Sequence, residues 1–174
     1  FDLTTYTQNY NDLLTDPLQP LLNRAARQVY APGSTFKMVT AIGALEEGII
    51  EPDTEILDTG RYRYWDDYQP QCWIYRDSGG ARTHGLENVT EAIRDSCNVF
   101  FFDAGRRLGI SLLEEYAAMF GLGESTGIEL SEETGWMDGP EYTESQGQTW
   151  YEGNTLPAAI GQGNSRFTPL QLAN

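Results

Sequence analysis

A mainly α chain with a small β excursion is the fold class that these 174 residues predict. Three observations carry the expectation. From Ser34 to about Glu47 the apolar residues Met38, Ile42 and Leu45 recur at i, i+4 and i+7, the spacing of a helix face. Capping and stop signals bracket further helical stretches between Asn88 and Gly121. Strand-like patterns are confined to the aromatic-rich segment 57–75 and to the pentapeptide TGIEL at 126–130.

In chain order, residues 1–30 read as a short helix, a proline-containing connection TDPLQP, and the stretch LLNRAARQVY, after which APG breaks the pattern. Ser34 is a natural N-cap and Gly48 a natural stop for the best-marked helix. Residues 57–75, LDTGRYRYWDDYQPQCWIY, alternate aromatic and polar residues around turn formers and predict a small hairpin or an aromatic excursion; DSGGARTHG is a loop. Asn88 and Glu91 resemble a capping pair ahead of Val89 and Ile93. The helix breaks at Ser96-Cys97-Asn98 and resumes with Val99, Phe102 and Leu108. Ser111 and Glu114 predict a capping box for a helix to Phe120, with Gly121 as terminator. Residues 121–153 are glycine-rich and acidic. Finally Thr168, Pro169 and Gln171 make a helix start with only Leu172, Ala173 and Asn174 behind it, which predicts a fragment of a longer domain.

Composition narrows the function. A net charge of −15 and scattered arginines, apart from the Arg106-Arg107 pair, lack the basic stripe that nucleic acid requires. No apolar run is long enough to span a bilayer. Cys72 and Cys97 have no metal-ligand spacing and one histidine, His84, to join them, so no metal is expected; a disulfide between them cannot be read from sequence.

Lys37 is the single lysine, and it follows Ser34 by three residues. On a helix the two share a face. A serine hydroxyl needs a base to become a nucleophile, and a lysine serves only when burial or a neighbouring cation lowers its pKa. Phe36, Met38 and Val39 surround Lys37 with apolar side chains, and amides at a helix start suit an oxyanion. Taken alone, Ser-x-x-Lys reads equally well as a capped surface helix with one solvated lysine. Ser96 and Asn98 shift the balance, because Ser-x-Asn together with Ser-x-x-Lys is the pairing of acyl-serine enzymes that attack β-lactams and D-Ala-D-Ala peptides.

The chain resembles the transpeptidase domain of penicillin-binding proteins, class B-like. The resemblance lies in NRA…YAPGSTFK, ALEEGII.P, CWI, HG, AIRDSCNVFFFDAGRRLGI, FGLGESTGIEL and AAIGQG…TPLQLA, and is weakest over 130–153. It implies the helical lobe of the α/β, β-lactamase-like fold, with the central sheet strands largely missing. It also implies catalytic roles for Ser34, Lys37, Ser96 and Asn98. Ser34 would be the acylated nucleophile, its N–H half of the oxyanion hole. Lys37 would be the base, held by Asn98; Ser96 would pass a proton to the leaving nitrogen, and Asn98 would bind the substrate amide. Cys97 would be a buried packing residue, His84 a loop or packing histidine, and GQG at 161–163 a tight turn near the site.

The family's third motif, Lys-Thr-Gly, is absent, since Lys37 is the sole lysine; in the family it follows TPLQLA, where this sequence stops. The resemblance therefore implies one domain, 1–174, cut before that motif. The implied function is a peptidoglycan D,D-transpeptidase acting on stem peptides that end in D-Ala-D-Ala and acylated by β-lactams, with no cofactor. The parent would be extracytoplasmic and membrane-anchored, with a place in a cell-wall synthesis complex left open, and the fragment would be weakly active or inactive. A D,D-carboxypeptidase, a β-lactam sensor and a non-catalytic helical module are the alternatives. A serine β-lactamase is disfavoured, as no E-x-x-x-N follows Ser96.

Overall fold

The computed structural model describes residues 2–174. Helices dominate: α1 (Tyr6–Thr15), α2 (Arg24–Arg27), α3 (Lys37–Glu46), α4 (Trp73–Asp77), α5 (Val89–Arg94), α6 (Asn98–Leu108), α7 (Ile110–Met119), α8 (Pro140–Ser145), α9 (Thr155–Ala159) and α10 (Pro169–Ala173). The described residues hold one sheet of two antiparallel strands, β1 (Ile56–Asp58) and β2 (Gly85–Glu87), with Ile56 opposite Glu87 and Asp58 opposite Gly85. The expected mainly α class with a minor β part holds.

α6 is the central element. Phe100, Phe101 and Ala104 on it are fully buried, and Val99, Phe102 and Leu108 nearly so. Each buried phenylalanine contributes roughly 1.5–3 kcal/mol by leaving water. α6 packs against α3 on one side and α9 on another, with α7 beside it. Gly105 permits the α6–α9 approach, because a Cβ there would overlap the Ala159 Cβ. A second cluster, Phe36, Val39, Leu113, Tyr116 and Phe167 among it, ties α3 and α7 to the C-terminal segment, where Tyr30 and Phe167 also exchange backbone hydrogen bonds. In contrast, α1 buries none of its residues.

Two capping boxes form as expected. Asn88 Oδ1 accepts from the amides of Thr90 and Glu91 while Glu91 reaches back to the Asn88 N–H. Thr168 and Gln171 do the same at α10, with Pro169 at its first position. Three local expectations do not hold. Ser34 caps no helix: it lies inside a 3-10 turn, Gly33–Phe36, and α3 begins at Lys37. Ser111 and Glu114 form no capping box, because α7 starts earlier, from Gly109, whose φ of 84° turns the chain out of α6 directly into α7. TGIEL is not a strand, since no neighbouring strand offers its backbone a ladder. Of the two readings of residues 57–75, the aromatic excursion is the one that fits: they pair only at one bridge, Arg61 with Gln71, and β1 finds its partner in β2, after the loop.

Candidate active site

The segment Gly33–Phe36 is a 3-10 turn because it is held from outside. The Gly33 N–H donates to the Gly161 carbonyl at 2.8 Å, and Gly33 itself has φ of 58°. A 3-10 turn brings residues i and i+3 into line, so Ser34 and Lys37 project to one side. Ser34 is exposed at the surface, while Lys37 is only 2% exposed. The loop Gly161-Gln162-Gly163 thus lies against the turn that carries Ser34, as expected of GQG.

The break between α5 and α6 supplies the partners. Ser96 has φ of 54°, one of two non-glycine residues among those described with positive φ. That backbone costs roughly 1–2 kcal/mol, and it aims both the carbonyl and the hydroxyl of Ser96 at Lys37. Lys37 Nζ donates to Ser96 O at 2.7 Å, to Ser96 Oγ at 3.0 Å and to Asn98 Oδ1 at 2.7 Å. Ser96 Oγ in turn donates to Ser34 Oγ at 2.8 Å. The four residues therefore form one chain of hydrogen bonds, in which the Ser96 hydroxyl stands between the amine and Ser34.

Burial pulls the Lys37 pKa down from 10.5 to about 8, against the opposing pull of Cys97, Cys72 and Glu87. The ammonium also lies 5.5 Å from the centre of the Phe101 ring. At pH 7 such an amine is neutral about a tenth of the time, enough for a base. Ser34, Ser96 and Asn98 open on a cleft of about 300 Å3, with Trp73, Arg76 and Gln162 around it. An exposed hydroxyl linked through a second hydroxyl to a buried, weakened lysine can attack a carbonyl that enters this cleft.

A family model described as the penicillin binding protein transpeptidase domain matches residues 3–174. The chain belongs to the penicillin-binding protein transpeptidase family. It is 36% identical over 178 residues to the peptidoglycan D,D-transpeptidase MrdA of Escherichia coli, covering 96% of this chain and 26% of that protein. The chain thus spans about a quarter of that relative's length. The Helicobacter pylori penicillin-binding protein 2, solved in complex with MreC, superposes with a TM-score of 0.83 at 32% identity, over 95% of this chain and 30% of that one. Penicillin-binding protein A of Mycobacterium tuberculosis, solved as an imipenem acyl-enzyme complex, superposes with a TM-score of 0.77 at 27% identity, over 99% of this chain and 37% of that one.

Beneath the site of this transpeptidase-family chain lies a group that sequence spacing did not reveal. Asp58, Cys72, His84 and Cys97 each offer one ligand atom, and these atoms lie within 4.8 Å of one another. Both cysteines are free and buried. His84 Nδ1 stands 2.9 Å from Asp58 Oδ2 and 3.4 Å from Cys72 Sγ, and its buried Nε2 has no partner among the described residues. The hydrogen bond with Cys97 is the first cause that pulls the Cys72 thiol down to about 6, with the Asn98 and Val99 amides adding to it, while Cys97 is pushed up. Burial would lower the His84 pKa, but its bond to Asp58 and the nearby Cys72 raise it on balance. Two thiols, an imidazole and a carboxylate converging at this range are the donor set of a tetrahedral zinc site, and the four residues fit one. The group supports the candidate site directly: the Asn98 N–H donates to Cys72 Sγ at 3.3 Å, and Cys97 separates Ser96 from Asn98. Cys97 is buried and His84 sits in its loop, as expected, but both serve this polar group.

Proposed function

We propose that this chain carries the nucleophile, base and proton relay of a peptidoglycan D,D-transpeptidase, and that Ser34 forms the acyl-enzyme. The hydrogen-bonded line from Lys37 through Ser96 to Ser34 carries the reading. With Lys37 neutral, the line runs in reverse: Ser34 gives its proton through the Ser96 hydroxyl to Nζ as Oγ bonds to the substrate carbonyl carbon. The C–N bond to the terminal D-alanine then breaks, and the leaving nitrogen takes a proton from Ser96, which Lys37 replaces. An amine of a second stem peptide completes the transfer and frees Ser34. A β-lactam follows the first half of the same course. Asn98 keeps the Lys37 amine in place and meets the substrate amide. The name of the MrdA relative and the acyl-enzyme state of the mycobacterial protein support this reading.

The 174 residues are in this reading one part of a single transpeptidase domain, with Lys-Thr-Gly supplied elsewhere in the protein, since no lysine other than Lys37 occurs here. The chain by itself then acylates slowly: loss of one oxyanion donor costs roughly 3 kcal/mol of transition-state stabilisation. The intact protein works outside the cytoplasm on a membrane anchor, although no described helix is long and apolar enough to cross a membrane. A place in a cell-wall synthesis complex is supported by the Helicobacter relative solved with MreC.

Intact-mass spectrometry after incubation of the intact protein with a fluorescent penicillin tests the assignment, beside Ser34→Ala. The expected result is a single adduct that disappears in the variant. An adduct that persists without Ser34 would overturn it.

A further inference from the structure

Among the described residues, two buried side-chain polar atoms have no hydrogen-bond partner: His84 Nε2 and Glu87 Oε2. Buried polar groups are nearly always paired, so two orphans three residues apart call for a cause. The β1–β2 register sets their surroundings. Asp58 opposes Gly85 and Ile56 opposes Glu87, so Asp58 and Glu87 are diagonal neighbours on the buried face of the sheet.

Asp58 Oδ2 and Cys72 Sγ face the Nδ1 side of the His84 ring, at 2.9 and 3.4 Å. Trp73 packs on the same ring with centres 5.8 Å apart, and its indole N–H donates to the Asp95 carbonyl at 3.1 Å. Glu87 is within hydrogen-bonding reach of Cys97 and Asp95. Its charge is felt at His84: burial pushes the His84 pKa down, and Asp58, Cys72 and Glu87 push it up.

A histidine that ligates a metal through Nδ1 carries its proton on Nε2, and that N–H needs an acceptor to fix the ring. Left unpaired in a buried place, it would weaken the metal bond by the cost of its desolvation. Asp95 is the rival acceptor, but Arg94 occupies both of its carboxylate oxygens, at 2.9 and 2.7 Å. Glu87 has a free one.

We propose that Glu87, which lies outside the four donors, accepts the Nε2–H of His84 and so holds Nδ1 toward zinc; this rests on the fit of those donors to zinc and not on the transpeptidase reading. Glu87 is then a positioning residue, acting on the metal through His84.

The test measures zinc affinity of the intact protein by competition with a chromophoric chelator, in the wild type, E87L, E87Q and D95N. E87L is expected to weaken zinc binding about 10- to 100-fold, the usual cost of a lost outer carboxylate. E87Q keeps an acceptor oxygen in the same shape and is expected to retain most of the affinity, which separates the hydrogen bond from packing. D95N is expected to bind as the wild type does. The His84 ring, assigned by its loss in H84A, gives a second readout that does not depend on E87L folding. In long-range 1H–15N spectra of the zinc-loaded wild type, Nδ1 is expected to be metal-bound and Nε2 to carry a slowly exchanging proton. No zinc on the wild type, equal affinity in E87L, an E87Q as weak as E87L, a loss as large in D95N, or zinc carried on Nε2 would each overturn the proposal.

Discussion

The Ser96 hydroxyl donates to the Ser34 hydroxyl at 2.8 Å, a bond that joins residues 62 apart in the chain. Lys37 bonds to Ser96 and Asn98 and, among the described residues, makes no direct hydrogen bond to Ser34. In the proposed mechanism a proton leaving Ser34 passes through Ser96. The helix break at 96–98 is therefore as much a part of the candidate site as the turn that carries Ser34.

Ser96→Ala is expected to slow acylation of the intact protein by a fluorescent penicillin about 100- to 10,000-fold, the range for a lost general acid or base. Stopped-flow fluorescence reads this directly. A loss under about threefold would remove Ser96 from the proton path.

Acylation is expected to rise with pH through an apparent pKa near 8, as Lys37 loses its proton. A flat profile between pH 7 and 9 would count against Lys37 as base. Stability carries the same sign. Lys37 is held at about 8 when folded and at its ordinary 10.5 when unfolded, so the unfolded chain binds more protons between those values, and this group's contribution to stability rises with pH across that window.

Zinc is expected to bind at Asp58, Cys72, His84 and Cys97 with a stoichiometry of about one per chain and to raise the melting temperature, and a chelator to reverse this. His84→Ala should abolish the effect. Metal analysis after dialysis, with thermal unfolding alongside, decides it; a melting temperature that ignores zinc would refute the site.

Gly161→Ala is expected to lower both stability and acylation. Gly161 has φ of 68°, and a Cβ there would overlap the Gly33 carbonyl oxygen and crowd Phe36. Strain of this kind costs about 1–3 kcal/mol, and it falls on the turn that aims Ser34. A variant that keeps its acylation rate while losing stability would separate the loop from the site.

The helical character of the chain was legible because its signals are local. Asn88 with Glu91 and Thr168 with Gln171 close their boxes within four residues, so no distant partner is needed. Ser34 failed as a cap for the opposite reason. Its amide turn is set by Gly161 and its hydroxyl is engaged by Ser96, both remote in sequence. TGIEL failed because β-branched residues fit a strand only where another strand offers hydrogen bonds, and none does here.

By itself, the sequence determined the candidate residues: one lysine three places after a serine, and a Ser-x-Asn at a helix break. Residue type and short spacing suffice for that, because each motif sits within one turn of chain. Tertiary structure alone decided how the motifs meet, that Lys37 is buried enough for its pKa to fall, and that Asp58, Cys72, His84 and Cys97 converge beneath them. Those are consequences of α6 packing against α3 and of β1 pairing with β2, and desolvation and convergence have no local signature in a sequence.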